Sequence, residues 1–238
     1  MSPRVSVTLL IPTLNEIEGM KVIMPKVRRE WVDQILVLDG NSTDGTADYA
    51  RQQGYDVHVQ RERGIRQGYN EVLPLIRGDV VLTFSPDGNS IPELIPELVA
   101  RMNEGYDMVI ASRYAPGVSS TDDDRVTAFG NWLFTRTLNL LFRAHYTDVM
   151  VIYRAYRKQL VYDLELDQDR WYRTPERLLG TRISWEPMLS ARAAIRKLRV
   201  TEVPGDEPPR VAGERKLQVW KWGAAYYFQF FRDFFLFR

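Results

Sequence analysis

The sequence predicts an α/β fold whose centre is a mostly parallel sheet covered by helices on both faces. Short runs rich in Val, Ile and Leu recur through the first half of the chain, and each is followed by a stretch of helical length. Helix-start residues (Asn, Ser, Thr) and helix-stop residues (Gly, Pro) stand at the junctions. The expected strands are residues 5–11, 35–38, 57–59, 80–84 and 108–111.

The connecting elements follow in order. Asn15, with Glu18 three residues on, has the spacing to cap a first helix, and Ser42 or Thr43 can cap a second that stops at Gly54. A third helix spans residues 64–76, with Pro74 marking its end. Ser90 and Glu93 have capping-box spacing for a fourth helix opening near Pro92, running to Asn103 and closed by Gly105. After Ser112-Arg113-Tyr114 the texture changes: residues 115–127 form a polar loop with Asp122-Asp123-Asp124, read as mobile. Residues 129–145 resume a helical period, 163–181 read as irregular, 184–196 as a helix and 198–203 as a strand returning to the sheet. Residues 204–213 are a loop rich in Pro, Gly and charge, and the chain closes on an aromatic segment.

Composition sets the bounds. At 238 residues, with 45% hydrophobic and 26% charged residues, the chain is long enough for one large domain with appendages. The expected division is 1–216 for that domain, followed by an aromatic helix over 217–238. A net charge of +1 offers no whole-chain reason to bind nucleic acid. Cysteine is absent, which removes disulfides, thiolate metal sites and cysteine nucleophiles and fits a reducing compartment. The apolar run 5–11 is too short for a signal peptide or a membrane span. The only histidines are His58 and His145, so histidine catalysis is not expected.

The chemistry gathers in the loops after the strands. Strand 80–84 runs into Ser85-Pro86-Asp87-Gly88-Asn89, where a carboxylate and an amide oxygen two residues apart suit a hard divalent cation carrying phosphates. The alternative is an Asp-Gly turn whose side chains cap their own backbone. In a parallel sheet, the loops holding Glu16 and Asp39 emerge at the same edge, so Glu16, Asp39 and Asp87 can converge on one crevice fit for a nucleotide.

These residues, in this order, resemble the inverting, GT-A type family 2 glycosyltransferases, in particular the polyprenyl-phosphate sugar synthases of the dolichol-phosphate mannose synthase type. Pro12-Thr13-Leu14-Asn15-Glu16 is similar to that group's P-x-x-N-E, and Asp39-Gly40-Asn41-Ser42-Thr43-Asp44-Gly45-Thr46 to its D-D-G-S-x-D-G-T, with Gly40 in place of the second Asp. Ser85-Pro86-Asp87-Gly88-Asn89 falls where the family has D-A-D-x-Q, so Ser85 replaces the first carboxylate. Ala111-Ser112-Arg113-Tyr114 is similar to G-S-R-Y, and Thr147-Asp148 through Tyr153-Arg154 to T-D-x-x-x-G-F-R, with Ile152 for the Gly. Glu202-Val203-Pro204 and Arg210-Val211-Ala212-Gly213-Glu214-Arg215-Lys216 resemble E-V-P-I and R-x-x-G-E-S-K.

The resemblance implies a Rossmann-like three-layer fold, with the nucleotide-binding half of the domain at about 1–114, the acceptor half at about 115–216, and transfer of a sugar from a UDP- or GDP-linked donor to a polyprenyl phosphate. It implies a donor site of Pro12, Asn15, Glu16, Asp39, Ser85, Asp87 and Arg113, and an Mg²⁺ or Mn²⁺ ion on Asp87 and Asn89. Catalytic roles fall to Asp87, to Arg113 at the donor phosphates and to Asp148 as general base for a hydroxyl acceptor. An anionic phosphate acceptor would instead be positioned by Arg154, Arg210 and Lys216. In the closing segment Trp220, Trp222, Tyr226, Phe230, Phe234 and Phe237 lie among Lys221, Arg232 and Arg238, a pattern for a helix at a membrane interface rather than across it. The alternative is packing on its own domain, on a second subunit of a homo-oligomer or on a membrane-anchoring partner. The expected location is cytoplasmic, peripheral on the cytoplasmic face. A soluble or glycan acceptor, a sugar-nucleotidyltransferase and a non-catalytic sugar-binding module are the competing readings; Pro12–Glu16 lacks the Gly-rich, Arg- and Lys-bearing loop of the nucleotidyltransferase.

Overall fold

The computed structural model describes residues 4–122, 125–211 and 219–237. Among the described residues seven strands form one sheet: β1 (Val7–Thr13), β2 (Gln34–Asp39), β3 (Asp56–Val59), β4 (Val80–Thr83), β5 (Met108–Ser112), β6 (Arg154–Arg157) and β7 (Val200–Pro204). Their order is β3-β2-β1-β4-β6-β5-β7. β1 pairs in parallel with β2 and β4, β2 with β3, and β5 with β7. β6 runs antiparallel to both β4 and β5. All the parallel strands therefore end at one edge, and β6 begins there, with Arg154 level with Thr83 and Ile110. The segment entering β6 must cross that edge, which brings residues 147–153 beside the strand-end loops.

The strands form where apolar side chains can be buried on both faces: every residue of β2, β4 and β5 is buried. Helices α1 (Ile17–Ile23), α2 (Thr46–Gln52), α3 (Ile65–Val72) and α4 (Ile95–Asn103) connect the first five strands. Pro74 closes α3 through a short 3-10 turn, and Gly54 and Gly105 take positive φ past α2 and α4, as expected. The caps differ from expectation. Asp44, not Ser42 or Thr43, accepts from the Thr46 amide at the start of α2 and also from the Ile17 amide at the start of α1. Ser90 makes no cap; Ile91 occupies the cap position of the turn that leads into α4.

The second half contributes α5 (Arg125–Phe142), α6 (Leu160–Asp163), α7 (Arg173–Leu179), α8 (Glu186–Ile195) and α9 (Val219–Leu236). Residues 163–181, read as irregular, contain α7. Buried Arg66 of α3 organises them, pairing with Asp169 and with Glu176 at 3.1 Å while its guanidinium lies 4.1 Å from the Tyr172 ring. The aromatic α9 packs against α5, α7 and α8. Ala225, Tyr226, Gln229, Phe230 and Asp233 share a buried face at helical spacing, while Phe228, Phe231, Phe234 and Phe235 stay exposed. On α5, Phe129, Trp132 and Leu140 are likewise exposed, Leu140 by 82%. Among the described residues no helix is long and apolar enough to cross a membrane.

Candidate active site

Two adjoining cavities open at the strand-end edge. The outer one, about 820 Å³, is bounded by Pro12, Glu16, Gly40, Gln60, Thr181 and Arg182. The inner one, about 310 Å³, is bounded by Asn89, Arg113, Tyr153, Glu186, Glu207 and Tyr226. Ile65, Ser85, Asp87, Ile152, Arg210 and Trp222 line both, so the loop after β4 forms the passage between them. A third cavity of about 850 Å³, between the C-terminal ends of α5, α8 and α9, contains none of the candidate residues.

The β4 loop is held from three sides. The Asp87 carboxylate accepts from the Asn89 amide at 3.0 Å, and the Asp87 carbonyl accepts from the Val211 amide at 2.8 Å. α1 presses on the loop at Gly19, where a Cβ would stand 2.4 Å from the Pro86 carbonyl oxygen. A Gly19→Ala substitution must push backbone apart, at a cost of about 1–3 kcal/mol, and should weaken nucleotide binding by displacing Asp87. Thermal unfolding and nucleotide titration of this one variant test both effects.

Asp87 is 5% exposed and its Oδ2 meets Arg210 Nη1 at 3.1 Å. The same guanidinium reaches Asp122 Oδ2 at 3.3 Å through Nε, and Asn89 Nδ2 donates to that Asp122 oxygen at 3.0 Å. Asn89 Oδ1 is closed off from solvent and accepts no hydrogen bond among the described residues. A carboxylate and an unsatisfied amide oxygen are hard donors of the kind Mg²⁺ and Mn²⁺ take, so Asp87 and Asn89 fit a divalent ion. Among the described residues no three His, Cys, Asp or Glu side chains group to hold an ion by themselves. Such an ion would complete its shell with phosphate and water oxygens, as Mg²⁺ sites commonly do.

Behind the passage stands a chain of ion pairs. Glu202 of β7 accepts from the Thr147 amide and hydroxyl at 2.9 and 2.7 Å and from the Asp148 amide at 3.1 Å, fixing that turn. Asp148 in turn grips Arg113, with Nε to Oδ2 at 2.7 Å and Nη2 to Oδ1 at 3.1 Å. Glu207 takes the remaining arm of Arg113 at 3.1 Å and also accepts from Ser120. Burial by itself would raise the Asp148 carboxyl, but Arg113 and the Met150 amide outweigh it and hold the group below its ordinary value. Burial likewise opposes the charge on Arg113, and the two carboxylates overcome it, keeping the guanidinium protonated.

Pro12, Glu16, Ser85, Asp87, Asn89, Arg113 and Arg210 thus stand on the cavity walls. Asn15 does not; it caps the neighbouring loop, its Oδ1 accepting from the Thr43 amide at 2.8 Å. Asp39 is 1% exposed and lies behind the outer wall, taking the Ser42 amide at 2.9 Å and the Thr13 hydroxyl at 3.3 Å. Asp148, fully enclosed, is absent from both linings, so it orients Arg113 and has no path to an acceptor proton. Arg154 corrects an expectation. It is fully buried, and its guanidinium is spent on the carbonyls of Val149, Val151 and Glu186 and on the Ser190 hydroxyl, so it cannot hold an acceptor phosphate. Lys216 lies outside the described residues.

Sequence reasoning missed Glu186, Glu207, Trp222 and Asp122. Glu186, at the floor of the inner cavity, accepts from the Tyr69 hydroxyl at 2.8 Å, and burial pushes its carboxyl upward against the pull of Arg154. Its position at the start of a helix reads as ordinary first-turn charge. Glu207 and Asp122 sit in loops without periodicity, and Trp222 lies in an aromatic segment whose pattern fits a membrane interface as well as packing on its own domain.

The family model for glycosyl transferase family 2 matches residues 8–165. Glycosyltransferase AglJ of Haloferax volcanii is 30% identical over 87% of this chain, which spans 65% of that protein's length. The undecaprenyl-phosphate mannosyltransferase of Micrococcus luteus is 28% identical, covering 92% of this chain and 94% of its own length. The dolichyl-phosphate hexose transferase of Haloferax volcanii is also 28% identical, over 91% of this chain and 89% of its own. In fold, the chain superposes on glucosyl-3-phosphoglycerate synthase of Mycobacterium tuberculosis in complex with Mn²⁺ and UDP. That match has a TM-score of 0.66 and 19% identity, covering 97% of this chain and 80% of that one. The sheet order and the family match over residues 8–165 lead to one conclusion: the chain belongs to glycosyl transferase family 2 and is a glycosyltransferase of the GT-A fold.

Proposed function

We propose that the chain moves a hexose from a UDP- or GDP-linked donor to a polyprenyl phosphate, with inversion at the anomeric carbon. The observation that carries this reading is the pair of joined cavities meeting at Ser85, Asp87 and Arg210. The outer cavity takes the nucleoside, between the loops of Pro12–Glu16 and Gly40. The diphosphate lies at Asp87 and Asn89, which would hold a divalent ion, Mg²⁺ or Mn²⁺; the ion would supply positive charge against the leaving diphosphate. Arg210, and Lys216 beyond the described residues, bring the acceptor phosphate to the far side of the sugar. Arg113 faces the inner cavity as a pre-set donor whose geometry Asp148 and Glu207 hold.

Two supports favour a lipid acceptor. Relatives covering nine tenths of this chain are named for undecaprenyl-phosphate and dolichyl-phosphate transfer. The exposed aromatic residues of α5 and α9, with Arg136 over the exposed Trp132, suit a membrane interface. A phosphate is already anionic at neutral pH, so an enclosed Asp148 is no obstacle. A hydroxyl acceptor is the second reading, favoured by Glu186: its buried carboxyl lines the inner cavity and could take a proton there.

A panel of nucleotide sugars with Mn²⁺, with and without a short polyprenyl phosphate, tests this reading. Nucleoside diphosphate should be released only when the lipid phosphate is present. Release to a soluble hydroxyl acceptor alone would move the assignment to the second reading, and failure to bind any nucleotide sugar would overturn both.

A further inference from the structure

The motif after β4 lacks a carboxylate at Ser85, yet the fold supplies one from elsewhere. Asp122, in the loop that follows β5, places Oδ2 3.0 Å from Asn89 Nδ2 and 3.3 Å from Arg210 Nε, and Arg210 Nη1 stands 3.1 Å from Asp87 Oδ2. Two carboxylates that are distant in sequence thus converge on one positive charge, next to an amide oxygen that is shut from solvent and has no hydrogen-bond partner. A guanidinium between two carboxylates marks a place where the protein already balances a cation.

We propose that Asp122 completes the divalent-cation edge with Asp87 and Asn89, in place of the carboxylate missing at Ser85, and that Arg210 holds this place until the metal and donor diphosphate arrive. The proposal rests on the donor site described under Proposed function. Affinity of oxygen-ligand sites rises with the number of charged ligands, so one carboxylate on the β4 loop gives a weak site and two give a usable one. Like charges left facing each other repel, and Arg210 removes that cost in the unliganded protein. When the ion takes over the carboxylates, the guanidinium is freed toward the passage it lines, where phosphate oxygens can receive it.

The loop carrying Asp122 is tied to the same machinery. The Thr121 amide and hydroxyl donate to the Glu207 carbonyl, the Glu207 amide donates to the Ser119 carbonyl, the Ser119 amide donates to the Asp206 carboxylate, and Glu207 pairs with Arg113. Asp122 is therefore carried by a segment anchored to the inner cavity.

Mn²⁺ binding to the full chain, read by electron paramagnetic resonance with and without UDP or GDP, tests the proposal independently of turnover. Asp122→Asn, nearly isosteric, should weaken Mn²⁺ binding by about tenfold or more in the presence of the nucleotide. Arg210→Gln should tighten Mn²⁺ binding in its absence, because the competing charge is gone. Adding Ser85→Asp to Asp122→Asn should restore the affinity by returning a carboxylate to the β4 loop. Should the single variant unfold, Asp122→Glu supplies the second measurement: it keeps the charge but shifts the carboxylate by one methylene, so it should change Mn²⁺ affinity several-fold in the presence of the nucleotide, and a folded Asp122→Glu chain with unchanged affinity overturns the proposal. An Asp122→Asn protein that is folded and binds Mn²⁺ as the natural chain does overturns the proposal and leaves the donor reading standing. A natural chain that binds neither nucleoside diphosphate nor Mn²⁺ overturns the donor reading, and the proposal with it.

Discussion

Asp87→Asn should reduce sugar transfer by about 10³-fold while leaving the fold intact. The substitution separates the two jobs of this side chain. As a turn former, Asp87 accepts the Asn89 amide at 3.0 Å, and an asparagine oxygen can do the same. As a charge, it balances Arg210 and gives the cation an anionic ligand; an amide oxygen can still ligate but brings no charge. The stability change should stay near about 1 kcal/mol, since one charge-assisted contact is lost while Asp122 still faces the partly exposed Arg210. Asp87→Ala removes both jobs and should be no less severe in turnover, with an added loss of order in the loop. The measurements are nucleoside diphosphate release under saturating donor and Mn²⁺-dependent retention of the nucleotide. If Asp87→Asn kept turnover within about tenfold of the natural chain, the cation edge would not lie at this loop.

The strands were legible because β1, β2, β4 and β5 are covered on both faces and so are written as apolar runs. β6 was not, because Arg154-Ala155-Tyr156-Arg157 shows no such run. Arg154 is tolerated inside only because the chain crossing the sheet edge turns carbonyl oxygens toward it, an arrangement no spacing encodes. The same limit explains the caps. Asn15, Ser42 and Asp44 are cap-forming residues and do bond to backbone amides, but Asn15 serves Thr43, Ser42 serves Asn15, and Asp44 serves Ile17 as well as Thr46. A short polar side chain satisfies a near or a far amide equally well, so sequence shows the residue type and not the partner. Charge type misled in a related way. Asp148 and Arg154 stand in a motif that resembles a functional one, yet both are interior, and they act on the site only through Arg113 and the local backbone. Asp122 was visible only as part of an acidic run in a polar loop, and its closeness to Asn89 is a tertiary fact.

Asp233→Ala should destabilise the protein by about 3–5 kcal/mol and weaken donor binding as a consequence. Asp233 on α9 and Arg192 on α8 are both fully enclosed and joined at 2.7 and 3.1 Å. Burial pushes the Asp233 carboxyl upward while Arg192 pulls it back, so neither charge is comfortable without the other. Arg192 also donates to the Leu164 and Glu165 carbonyls and lies 4.4 Å from the Phe237 ring, so a neighbour lost at 233 strands a charge held by several elements. Replacing both partners with apolar residues, as in Arg192→Met with Asp233→Leu, should recover most of the loss, because the desolvation cost disappears with the charges. Urea unfolding of the two single variants and the double variant measures this; single losses below about 0.5 kcal/mol would show that the pair does not anchor the helix. The link to the site runs along α9 itself. Trp222 lines both cavities, and Tyr226, whose hydroxyl accepts from the Ser184 amide at 3.1 Å, lines the inner one. A helix loosened at Asp233 therefore opens the wall of the donor site. Donor at about 100 times its Kd stabilises any folded chain that binds it by about 2.7 kcal/mol, so the link is read from the Kd itself. The donor Kd should rise in Asp233→Ala and return towards the natural value in the Arg192→Met, Asp233→Leu chain; a Kd unchanged in folded Asp233→Ala protein would show that α9 does not shape the site.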